Sequence, residues 1–129
     1  MENFGIGVDI ESIDRFNDLA DGKQKRLLNK IFTKKEIKYC FSKSNPAPHL
    51  AARYAGKESV FKAISSSFDY SLQYKEIEII NNEYGAPYVM IKKKLYRDFV
   101  IKISLSHNKD FAIAYAIIQK KNKVINWKK

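Results

Sequence analysis

Two short apolar alternations near the C-terminal end constrain this 129-residue chain more than any other feature. Ile101, Ile103 and Leu105 recur at every second position, the polar run SHNKD follows, and Phe111, Ile113, Tyr115 and Ile117 alternate again. A period of two on either side of a turn-rich break is the pattern of two antiparallel strands. Upstream the period lengthens. From about His49 to Ser65, the stretch HLAARYAGKESVFKAIS sets Leu50, Tyr54, Phe61 and Ile64 on one stripe of a helix. Gly56 inside that helix costs about 1 kcal/mol relative to alanine, which predicts a close contact there.

The rest of the chain alternates shorter signals. Phe4 to Ile10 (FGIGVDI) reads as a strand, with Gly5 and Gly7 permitting close backbone approach. Ile13, Phe16 and Leu19 predict a helix over 11–19, ended by Asp21-Gly22, and a basic amphipathic helix follows from Lys23 to Phe32. Thr33 with Glu36 has capping-box spacing and starts a third helix through about Ser42. SKSNPAP reads as a break. Tyr74 to Ile80 and Tyr88 to Ile91 form a hairpin around NNEYGAP, and Lys92 to Asp98 reads as a short helix. With no linker and no repeat, the expectation is one α+β domain over 1–129, of which 120–129 is a flexible basic tail.

Charge and cysteine content restrict what such a domain does. Lys and Arg total 24 against 14 Asp and Glu, a formal net charge of +10. That balance attracts polyanions: nucleic acid, an anionic membrane face, phosphorylated small molecules or an acidic protein. Cys40 is the only cysteine, so no intrachain disulfide forms, and with His49 and His107 the only histidines a structural zinc site is not available. A metal here would rest on carboxylates, which points to a hard cation such as Mg²⁺. The longest apolar run, Phe111 to Ile118, is too short to cross a membrane as a helix. Glu2 and Asp9 stand where an export signal wants a basic end and an apolar block, so none is visible, and the lone Cys40 makes a reducing cytoplasm the expected location.

The chemistry-bearing residues gather in a few places. Arg53 and Lys57, and Glu58 and Lys62, are spaced i,i+4. They read either as solvated ion pairs or as a cationic row with a carboxylate inside it. Asp9 ends a glycine-rich strand and is either a helix N-cap or a metal ligand. Two carboxylates beside Lys and Arg are what a Mg²⁺–pyrophosphate site requires. His107, in the last turn, is either a further member or a turn residue without a role.

In this order and in a chain of this length, GIGVDIESIDRF, FTKKEI, RYAGKESVFKAI, EIEIINNEYGAPYV and ISLSHNKDFAIAYAII resemble the holo-acyl-carrier-protein synthases, the small trimeric group of 4′-phosphopantetheinyl transferases. The resemblance implies transfer of 4′-phosphopantetheine from coenzyme A to a serine of apo-acyl carrier protein, with release of adenosine 3′,5′-bisphosphate, in fatty acid biosynthesis. It implies Asp9 and Glu58 as Mg²⁺ ligands, Glu58 as the base for the serine hydroxyl, and Lys62 as the cation for the leaving group. Arg53, Lys57, Gly85, Pro87 and His107 match positions of the coenzyme A cleft. Arg15, Lys23 and Arg26 fall in the region the family uses to dock its acidic carrier, where complementary charge speeds association. The implied assembly is a homotrimer, with the late strands around a three-fold axis and the sites between neighbours.

Two positions depart from the family pattern. Ser65-Ser66-Ser67 stands where a glycine-rich turn is usual: serine hydroxyls bind phosphate, but serine lacks the backbone freedom of glycine. Glu11 makes D-x-E with Asp9, as in the larger pseudo-dimeric transferases, and is a candidate third ligand. The competing expectation is a non-enzymatic basic module for RNA or another polyanion. It accounts for the charge and leaves Asp9 and Glu58 without a reason. The resemblance calls for no nucleic acid.

Overall fold

Twenty residues of helix, Pro46–Ser65 (α4), form the axis on which the larger sheet and most of the neighbouring elements are packed. The computed structural model describes residues 4–66, 68 and 71–121. A strand Phe4–Ser12 (β1) is followed by a 3₁₀ turn Ile13–Phe16 and three short helices, Asn17–Ala20 (α1), Lys25–Ile31 (α2) and Lys34–Phe41 (α3). After α4 come a 3₁₀ turn Tyr74–Glu76, a hairpin of Ile77–Asn81 (β2) and Pro87–Ile91 (β3), a 3₁₀ turn Lys94–Tyr96, and strands Phe99–His107 (β4) and Phe111–Lys120 (β5). The class is α+β, as the sequence patterns predict. β1, β5 and β4 form one antiparallel sheet with β5 in the middle, while β2 and β3 form a separate ribbon.

Local chemistry sets the helix ends. Thr33 caps α3, accepting from Glu36 N while the Glu36 carboxylate accepts from Thr33 N at 2.9 Å. Asn45 caps α4 through Ala47 N at 3.3 Å, and Pro46 sits in its first turn, where a missing N–H is harmless. SKSNPAP is therefore no extended break: its second half already belongs to the helix. The helix expected over 11–19 also starts later, because β1 runs on through Glu11 to Ser12. Lys92 to Asp98 contains only the 3₁₀ turn, and the strand expected from Tyr74 begins at Ile77. Lys120, expected in the tail, is the last residue of β5; 122–129 and Trp127 lie outside the described residues.

How closely α4 lies on the sheet is decided by glycine and alanine. A Cβ on Gly5 would overlap the Ala63 carbonyl oxygen, and one on Gly7 the Ser59 carbonyl oxygen. On the facing side of β5, Ala112, Ala114 and Ala116 are buried beneath the helix. On its other flank Gly56 faces the ribbon, where a Cβ would come 2.5 Å from Ile79 Cδ1. That is the close contact Gly56 predicts. As a consequence the large residues of the terminal alternation, Phe111, Ile113, Tyr115 and Ile117, point away from α4 and are exposed, together with Phe4, Ile6, Val8 and Ile10 of β1. The sheet turns the small residues of β1 and β5 to the middle of the helix, with Ile118, Ile103 and Leu105 on the same side, and leaves one broad apolar face open to solvent.

Candidate active site

The period of β1 places Gly5, Gly7, Asp9 and Glu11 on the face turned to α4. The two glycines bring the helix in; the two acids then stand where Glu58 and Lys62 come past. Asp9 lies within the strand, and Ser12 holds the N-cap position of the following turn. Of the two readings of Asp9, the helix cap is thereby excluded. Lys62 Nζ is 3.0 Å from Asp9 Oδ1 and 3.0 Å from the Val8 carbonyl oxygen. The ion pair expected between Glu58 and Lys62 is thus replaced by one across to the strand. Glu58 instead accepts at Oε2 from the Tyr74 hydroxyl at 2.6 Å. Burial, then the hydrogen bond to Glu58, hold the Tyr74 phenol well above its ordinary range, so it stays a donor.

Glu11 is buried and pairs with Arg15 at 2.5 Å. Burial, followed by a hydrogen-bonding approach to Asp9 and the charge of Asp9, push its carboxyl up to about 7, and the Glu58 charge adds to this. Asp9 Oδ2 is buried without a hydrogen-bond partner. Acceptor oxygens thus gather with too few donors, a deficit that a hard cation removes. Among the described residues no group of three or more acidic, histidine or cysteine side chains is arranged to hold a metal by itself. A cation taken here would complete its shell with water or phosphate oxygens, the usual habit of Mg²⁺.

Lys57 does not join this site. Its side chain and that of Glu36 are both 0% exposed and stand 2.7 Å apart. Its ammonium also donates to the carbonyls of Ile31 at 2.8 Å and Tyr74 at 2.9 Å, so all three protons are used beneath the helix and none is left for a phosphate. Glu36 accepts in addition from Ile79 N at 2.8 Å. Glu36 is the capping-box glutamate, and nothing in that motif distinguishes a cap from a cap that also neutralises a buried lysine.

Nine residues N-terminal to Lys62, roughly 13 Å along the helix, Arg53 anchors a second polar cluster. It is 3% exposed, lies over the Tyr39 ring at 4.1 Å, and donates to Asn81 Oδ1 at 3.3 Å, while its Nε is buried with no partner. Asn81 pairs with Pro87 in the hairpin whose turn contains Gly85, at φ +82°. His107 lies in one row across the sheet with Ala112 and Glu11. Its ring meets that of His49 at 5.7 Å, and His49 meets Tyr39 at 6.0 Å. Arg53, Pro87 and His107 are thus gathered around one end of α4, with His49 added by the fold. Burial, then His107, Arg53 and Lys43, hold the His49 imidazole below its ordinary value.

Ser65 and Ser66 turn their hydroxyls back to the carbonyls of Lys62 and Ala63, at 3.3 and 2.9 Å; Ser67 lies outside the described residues. Arg15, Lys23 and Arg26 are all exposed. Lys23 stands 3.9 Å from Asp21, and Arg26 borders a shallow groove with Gln24, Leu27 and Lys30. No helix among the described residues is long and apolar enough to cross a membrane.

Residues 5–116 match the family profile of the 4′-phosphopantetheinyl transferase superfamily. The chain is 43% identical over 117 residues to the holo-[acyl-carrier-protein] synthase of Thermodesulfovibrio yellowstonii, covering 88% of this chain and 96% of that one. It is 39% identical over 121 residues to the synthase of the same name from Aquifex aeolicus, covering 91% and 99%. The crystal structure of Helicobacter pylori holo-[acyl-carrier-protein] synthase in complex with coenzyme A superposes with a TM-score of 0.75, at 28% identity, over 88% of this chain and 99% of that one. The motifs, the fold and these matches agree: this chain belongs to the 4′-phosphopantetheinyl transferase superfamily, among the holo-[acyl-carrier-protein] synthases.

Proposed function

We propose that this protein transfers the 4′-phosphopantetheine group of coenzyme A to a serine hydroxyl of an apo-acyl carrier protein, in the service of fatty acid synthesis. The serine oxygen forms a new bond to the phosphorus that carries pantetheine. The bond from that phosphorus to the bridging oxygen breaks, and adenosine 3′,5′-bisphosphate leaves. The observation that carries the reading is the pairing of Asp9 with Lys62 across β1 and α4, beside Glu11 and within reach of the Glu58 charge, with Asp9 Oδ2 buried and unpartnered. A groove built for a polyanion alone gains nothing from three carboxylates.

Asp9 and Glu58 would hold Mg²⁺, with the Arg15-paired Glu11 as a third carboxylate beside them and water or phosphate oxygens completing the shell. When bound there, the ion supplies Lewis acidity at the pyrophosphate oxygens. Glu58 takes the proton from the incoming serine. Lys62, half solvated on the rim, meets the charge that develops as the anhydride opens. Arg53 and His107 contact phosphate further along the cleft, with Gly85 and Pro87 in the hairpin that borders it. Arg15, Lys23 and Arg26 face the acidic carrier, which they draw in by long-range attraction. Mass spectrometry of apo-carrier incubated with coenzyme A, Mg²⁺ and this protein tests the reading. A phosphopantetheine mass gain that EDTA abolishes is expected. No gain under any metal condition would overturn it.

The apolar face of the sheet belongs to the same proposal. Ile6, Val8, Ile10, Ile113, Tyr115 and Ile117 are each 42–60% exposed, a breadth of apolar surface that isolated soluble domains rarely leave open. A cavity of about 450 Å³ lined by Ile6, Val8, Tyr115 and Lys62 joins this face to the site. Three copies meeting on it around a three-fold axis would cover the patch and set each site against a neighbour. Sedimentation of the wild type and of Ile113→Glu is the check: a wild-type monomer with full activity would refute the trimer.

A further inference from the structure

Tyr74 lies just ahead of β2, at a position where the sequence pattern shows nothing beyond one more aromatic. Its ring is clamped on two sides. It stacks on Tyr54 at 5.6 Å with 21° between planes, and it meets Phe61 edge to face at 5.0 Å. Its backbone is held from a third direction, since its carbonyl accepts from Lys57 Nζ at 2.9 Å. That ammonium is itself fixed by Glu36 and by the Ile31 carbonyl. With ring and backbone both set, the hydroxyl has one place to point. It donates to Glu58 Oε2 at 2.6 Å, with the Tyr54 hydroxyl 3.3 Å away on its other side. The Glu58 side chain has no other hydrogen bond among the described residues, so this donor alone restricts a side chain with three rotatable bonds.

We propose that Tyr74 is a positioning residue for the transfer reaction: anchored by the buried Lys57–Glu36 pair, its hydroxyl holds the Glu58 carboxylate with Oε2 engaged, leaving Oε1 to serve the site. The inference rests on the role given to Glu58 above. Glu58 would otherwise sample several rotamers, and a base or ligand loses effectiveness steeply when its geometry loosens. Lys57 then matters for the reaction without touching coenzyme A. Its position within the motif of α4 follows from what it holds beneath the helix.

Tyr74→Phe keeps both ring contacts and the backbone anchor and removes only the hydroxyl that donates to Glu58 and approaches Tyr54. Its kcat is expected to fall about fivefold to tenfold, with the coenzyme A KM within about twofold of wild type and the melting temperature nearly unchanged. Mn²⁺ affinity of the free protein, read by electron paramagnetic resonance without carrier or coenzyme A, should weaken about threefold. In a Glu58→Gln background the same substitution should change neither quantity, because its route of action is gone. Unchanged kcat and Mn²⁺ affinity, or equal losses in both backgrounds, would overturn the proposal. A wild-type chain that binds Mn²⁺ but never loads the carrier would overturn the transfer reaction instead. The Mn²⁺ measurements would then decide the Tyr74 contact alone.

Discussion

Replacing Lys62 with alanine should move catalysis and metal affinity in opposite directions. Lys62 Nζ stands 3.0 Å from Asp9 Oδ1; the lysine side chain is 54% exposed and that of Asp9 11%. A pair this well solvated on one side is worth roughly 0.5–1 kcal/mol. A cation that uses Asp9 has to displace it, so Lys62→Ala should tighten the apparent Mg²⁺ affinity by about twofold to fivefold. The ammonium also meets charge that appears as the phosphoanhydride breaks. Losing a donor of that kind costs roughly 10²–10³-fold in kcat. Initial rates of carrier loading across a Mg²⁺ titration give both numbers from one data set. Near wild-type turnover would reduce Lys62 to a surface ion pair. An apparent Mg²⁺ affinity weakened about tenfold would refute the competition and mean that Lys62 orients Asp9 for the metal.

Three further outcomes follow from the packing. Lys57→Met leaves Glu36 fully buried with backbone donors as its only partners, and should destabilise the fold by about 3 kcal/mol, or roughly 10 °C in melting temperature by calorimetry. Gly7→Ala sets a Cβ against the Ser59 carbonyl and 2.9 Å from Lys62 Cβ; it should cost about 1–3 kcal/mol by urea unfolding and lower kcat as α4 shifts from β1. Because the folded chain binds a proton at His49 less readily than the unfolded one, stability should fall as pH drops below about 6.5 toward the depressed folded value. His49→Phe should flatten that decline, as measured by urea midpoints at about pH 7.5 and 5.5.

Much of this architecture is legible in the amino-acid order. The two-residue period of β4 and β5, the Thr33–Glu36 box and the long α4 pattern rest on interactions within a few residues, so local rules suffice to find them. Asp9, Glu58 and Arg53 are likewise visible as motif members. What the i,i+4 spacings do not reveal is which partner each side chain takes. That reading assumes a helix with one wet face, and α4 is covered around most of its circumference by the sheet, by α3 and by the ribbon. Under that cover Lys57 turns inward to Glu36, Lys62 crosses to Asp9, and Glu58 meets Tyr74.

The direction of the last alternation was also settled in three dimensions. Large apolar residues at every second position of β5 look like a core face by size alone. Tertiary structure reversed this, because Gly5 and Gly7 draw α4 so close to β1 that the face of β5 beneath it carries Ala112, Ala114 and Ala116, with Ile118 the one large residue there. Sequence by itself determined the long helix, the capped α3, the strands of the hairpins, their order and the chemistry available, since these depend on near neighbours along the chain. Tertiary structure decided which lysine is structural, which tyrosine steadies the glutamate and which sheet face is left open, since these depend on how near α4 approaches residues up to 54 positions away.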